Sequence, residues 1–151
     1  MTNHVHLIVV PRHEQALTRA IAETHRRYTR ALNVREGWRG DLWQGRFHSV
    51  ALDEPHLLAA VRSVERNPVT AGMLDRAEGS PWSSARAHAL RTVDPFLTAH
   101  GLTEQITDWA TCLQDPQDDG VGRMLARAAS VGRPVGSSNC LARLETLTGP
   151  S

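Results

Sequence analysis

The chain begins MTNHVHLIVV, and this aliphatic run constrains its fold more than any other stretch. Alternating histidines among β-branched residues predict an extended strand, with His4 and His6 on one face and neighbouring aliphatics free to turn toward a core. A strand needs a sheet to receive it. Two imidazoles about 6 to 7 Å apart along a strand can share one divalent ion if a third ligand comes from elsewhere. As a lone motif, His-x-His favours the plainer reading of two polar residues on a solvated face.

A chain of 151 residues supports one main domain with an appendage. No stretch reaches the roughly 18 to 20 consecutive apolar residues of a membrane span, and the start lacks the features of a secretory signal. A cytoplasmic location is the expectation. Cys112 and Cys140 show no metal spacing and read as free thiols. The net charge of +1 conceals an asymmetry: residues 1–50 hold eight arginines against four acids, whereas the remainder holds nine against twelve. All seventeen basic residues are arginine, the side chain that forks onto phosphates and stacks on bases.

From Val10 to Gly37, Leu17, Ile21, Thr24, Tyr28 and Leu32 form one helical stripe, with Arg19, Arg26, Arg27 and Arg30 on flanking and opposite positions. That basic side suits either solvent or phosphate. Tyr28, the one tyrosine of the chain, falls on the apolar stripe and reads as packing. The segment GWRGDLWQGRFHSVALD follows with an imperfect strand alternation, Leu42, Gln44, Arg46 and His48 against Trp43, Phe47 and Val50. Aromatics interleaved with arginines suit single-stranded nucleic acid. Asp53 is the expected N-cap and Pro55 an early-turn proline of a helix that should stop before Asn67-Pro68. GSPWSSARAHAL reads as a turn into a short helix. Beyond residue 94, helical segments near 103–113, 120–130 and 137–148 are joined by loops of turn residues.

Five stretches in order, MTNHVHLIVV, LWQGRFHSV, NPVTAGML, PWSSARAH and GRPVGSSNCLARLETLTG, resemble the REP-associated tyrosine transposases of the HUH superfamily. The likeness runs from residue 1 to residue 149. It implies an α+β fold: a ferredoxin-like palm with an antiparallel sheet over 1–93, lacking its first strand and helix, and a helical tail over 94–151. Such an N-terminally truncated palm would expose a sheet edge and invite homodimerisation through it.

The resemblance further implies that His4, His6 and Asn67 hold Mg²⁺ or Mn²⁺ at a phosphate of hairpin-forming single-stranded DNA. In the family a helix tyrosine attacks that phosphate. Ser63 stands at the tyrosine's position, one turn before Asn67. A serine hydroxyl is shorter and far less acidic than a phenol, so nicking and strand transfer are expected to be deficient. His56, near a second position where relatives carry an aromatic, has no further support as a phosphoryl acceptor. DNA contacts are expected from Arg19, Arg26, Arg27, Arg30, Trp43, Arg46 and His48. The alternatives are an active metal-dependent transposase or endonuclease, and an inactive pseudogene fragment.

Overall fold

The structure, a computed structural model, describes residues 4–98, 101, 106–114 and 119–148. The chain forms two compact units, Ile8–Ser49 and a larger one that takes in residues 1–7 and 50–151.

In the smaller unit, α1 (Ala16–Glu36) is the amphipathic helix that the stripe predicts. It ends where Gly37 adopts a left-handed conformation, φ 68°, and the Trp38 N–H reaches back to the Asn33 carbonyl at 3.0 Å. Glycine suits that position because it lacks the β-carbon that disfavours positive φ. The Asn33 side-chain amide donates to the Gly40 carbonyl at 2.9 Å and starts the return of the chain. Residues 38–49 then return along α1 without helix or strand, held to it through Trp43. None of the described residues of this unit is fully buried.

The larger unit is built on α2 (Glu54–Thr70), a 3-10 turn (Ala77–Gly79), α3 (Ala85–Leu90), α4 (Trp109–Gln114), α5 (Asp119–Val131) and α6 (Ser138–Thr148). Asp53 caps α2 as expected, accepting from the His56 N–H at 3.3 Å with Pro55 in the first turn. Ala77, Ala85, Trp109 and Leu113 form the core, with Leu58, Val61 and Val69 of α2 packed against them. The Asp53 carboxylate also accepts the Ser137 N–H at 2.6 Å, joining the entry of α2 to the entry of α6. Beside it, the Val135 N–H donates to the Ala51 carbonyl at 2.9 Å, within the isolated parallel bridge Leu52–Val135.

The expected α+β palm is overturned: the described residues are mainly helical and form no sheet. Residues 4–10 are neither helix nor strand and are exposed, Val10 at 83%. The alternation at 42–50 forms no strand either. Both expectations rested on side-chain pattern, and pattern produces a strand only where another backbone completes the ladder. Here α2 packs against helices instead. Dimerisation through a sheet edge loses its basis with the sheet.

A second correction concerns the end of α2, which runs through Asn67-Pro68 to Thr70. Proline removes one helical N–H and blocks the carbonyl four residues back, and α2 continues only two residues beyond Pro68. Pro68 is buried, and the Met73 N–H closes onto its carbonyl at 2.9 Å. The segments foreseen near 120–130 and 137–148 match α5 and α6; that near 103–113 is described only from 106, where α4 begins at Trp109.

Candidate nucleic-acid interface

On α1, a rotation of about 100° per residue brings Arg19, Glu23, Arg26, Arg27 and Arg30 to one side. All four arginines are exposed. Glu23 occupies the middle of this side. Arg26 grips its carboxylate with two nitrogens, Nε to Oε2 at 2.8 Å and Nη2 to Oε1 at 2.7 Å, and Arg27 Nε adds a third bond to Oε1 at 2.6 Å. These bonds, Arg26 first, hold the Glu23 carboxyl down at a pKa of about 2 and raise that of Arg26. Arg19 donates to the Gln15 side chain at 2.6 Å. Arg30 makes no ion pair among the described residues.

Trp43 lies on nearly the opposite side of the helix. Its indole stacks on His25 with ring centroids 3.8 Å apart, tilts against Tyr28 at 5.8 Å and donates to Thr29 Oγ1 at 3.0 Å. Trp43 thus covers the apolar stripe to which Tyr28 belongs, while the arginines occupy the other side. Arg46 and His48 follow on the exposed return segment. The aromatic-arginine interleaving visible in the sequence therefore separates in three dimensions, because helix phase and not chain order decides which residues share a surface.

In the larger unit the His4 and His6 rings meet edge to face with centroids 4.9 Å apart. Partial burial, then the neighbouring His4, lowers the His6 pKa and favours the neutral form that metals bind. Among the described residues no group of three His, Cys, Asp or Glu side chains could hold a metal. Asn67, an amide on the last turns of α2, lies outside that donor class and is half-buried.

Ser63 is also half-buried and lies against α5. A β-carbon added at Gly122 would stand 2.9 Å from Ser63 Oγ, so the helices meet at the position that the resemblance assigns to the nucleophile. His56 pairs through Nδ1 with Asp53, which gives it a place at the helix cap. Cys112 and Cys140 are both free thiols.

Sequence reasoning missed the most connected polar group. Glu65, fully buried on α2, accepts from Ser84 Oγ at 2.5 Å, His88 Nδ1 at 2.6 Å and Trp109 Nε1 at 2.6 Å. This cluster ties α2 to the loop before α3, to α3 itself and to α4. Its signal was present: Glu65 falls one turn from Val61 and three residues before Pro68 on the buried stripe, and Ser84 and His88 are one turn apart. Glu23 was legible too, by its spacing to Arg26 and Arg27.

No helix among the described residues is long and apolar enough to cross a membrane. No family model matches the chain, and no curated protein or solved structure matches it.

Proposed function

We propose that this chain is a hairpin single-stranded DNA-binding protein of REP-associated tyrosine transposase descent, deficient in nicking and strand transfer. The observation that carries the binding reading is the exposed side of α1, where Arg19, Arg26, Arg27 and Arg30 are opposed by Glu23 alone. Guanidiniums at helical spacing neutralise successive phosphates and release their counterions. Trp43 supports this surface indirectly by fixing the return segment, with Arg46 and His48 on it, to α1.

His4 and His6 would hold Mg²⁺ or Mn²⁺, with phosphate oxygens and the Asn67 amide as further ligands. Such an ion, when bound, polarises a phosphodiester. Two neutral imidazoles bring no negative charge to hard cations, so DNA strengthens the metal site. Ser63, whose hydroxyl faces Gly122 at close range, supplies neither the reach nor the acidity of a phenol.

The test is fluorescence anisotropy of a labelled hairpin carrying a single-stranded tail. The chain should prefer it to duplex DNA, and binding should weaken steeply with salt. Arg26→Ala/Arg30→Ala should flatten the salt dependence by about 1.4 in log-log slope, at roughly 0.7 per phosphate contact on a single strand. An unchanged slope would reduce the arginines to a solvated face and overturn the reading.

A further inference from the structure

A carboxylate held by two nitrogens of one guanidinium and a third nitrogen from the next residue occupies a small anion site. Phosphodiester oxygens use the same donors with similar geometry. On α1 that site has an occupant, since Glu23 takes all three bonds from Arg26 and Arg27 at 2.6 to 2.8 Å. The carboxylate stays ionised at every ordinary pH, being held at a pKa of about 2 by those bonds. A phosphate approaching this side meets guanidiniums already aligned and already neutralised in part.

We propose that Arg26 and Arg27 form a phosphodiester-binding fork whose resting occupant is the Glu23 carboxylate, which limits the affinity of this face for single-stranded DNA and gives way to a backbone phosphate on binding. The inference rests on the DNA-binding reading above and names the residue that regulates its main contact. Glu23 acts in two ways: it keeps the two side chains ordered, and it competes with the ligand. The pair lies in solvent, where such bonds contribute little net stability, so exchange is energetically close to balanced. Competition consequently dominates over ordering.

Glu36 provides the control. It is the last residue of the same helix, carries the same charge and pairs with Arg35 at 2.6 Å, but stands about 15 Å further along the axis from Arg26. Anisotropy of the labelled tailed hairpin should be measured for wild type, Glu23→Gln, Glu36→Gln, Arg26→Ala/Arg27→Ala and the triple variant Glu23→Gln/Arg26→Ala/Arg27→Ala, with far-UV circular dichroism confirming helix content. Glu23→Gln should bind roughly three- to fivefold more tightly at about 50 mM salt and steepen the log-log salt slope by about 0.7, the equivalent of one further phosphate contact. Glu36→Gln should change affinity by less than about twofold, and the Glu23→Gln gain should disappear when Arg26 and Arg27 are absent. Inorganic phosphate at matched ionic strength should leave the hairpin bound; displacement would make the fork a free-phosphate site and overturn the assignment to DNA. If wild type binds DNA but Glu23→Gln matches it, or Glu36→Gln gains equally, this inference fails while the DNA-binding reading stands. If no variant binds at low salt, both fail.

Discussion

Glu65 is fully buried and accepts three hydrogen bonds, from the partly buried Ser84 and His88 and from the buried Trp109, so its removal takes the partner from all three donors and leaves the Trp109 N–H buried without one. Glu65→Ala should therefore lower unfolding free energy by about 3 to 5 kcal/mol in urea melts. Glu65→Gln keeps one acceptor oxygen and should cost less. Asp53 bears on stability through pH. Its carboxyl is depressed from an ordinary 3.8 to about 2, first by the Ser137 N–H and then by His56. A depressed pKa means that its contribution is complete above about 4 and is lost as pH falls toward 2. Thermal midpoints of wild type and Asp53→Asn should differ at pH 6, where asparagine retains the cap but not the charge, and converge near pH 2. A constant difference would show that the charge is not what Asp53 contributes. The capping role of Asp53 was readable from its place before Pro55; its bond to Ser137 was not, because 84 residues separate the two.

At the scale of elements, the helices were legible and the strands were not. α1 and α2 follow apolar periodicity, with Gly37 closing the one and Asp53 capping the other, local properties that a chain displays in its own sequence. The His4 to Val10 run and the alternation around Trp43 advertise strands, but strands are completed by distant backbone, and none pairs with them among the described residues. The α2-α5 contact was equally invisible beforehand, since neither Ser63 nor Gly122 announces a close approach. It makes a sharp prediction. Alanine in place of a mid-helix glycine ordinarily stabilises by about 1 kcal/mol. Gly122→Ala should fall short of that because its methyl meets Ser63 Oγ at 2.9 Å, and should reach it in a Ser63→Ala background. Ser63→Tyr should cost about 1 to 3 kcal/mol by overpacking the same contact. Urea midpoints across the double-mutant cycle measure the coupling; strict additivity would mean that the helices do not meet at these residues.

The whole chain combines two units with unlike interiors. The larger has a core and the Glu65 network; the smaller has no fully buried residue and relies on Trp43, Thr29 and Asn33 to hold its return segment to α1. Amide hydrogen exchange should accordingly be slowest in α2 and α4 and faster in α1, and Trp43→Ala should accelerate exchange in residues 16–36 while leaving α2 unchanged. Equal protection of both units would contradict this division. The proposed DNA binding rests on α1 of the smaller unit, and the proposed lack of strand transfer rests on Ser63 of the larger. The most direct test incubates the intact chain with a labelled tailed hairpin and Mn²⁺, then measures binding under native conditions and covalent linkage after denaturation. The predicted result is salt-sensitive binding that requires the α1 arginines, with no adduct and no cleaved DNA. An adduct mapping to Ser63 or Tyr28, cleavage of the hairpin, or absence of binding at low salt would contradict the account.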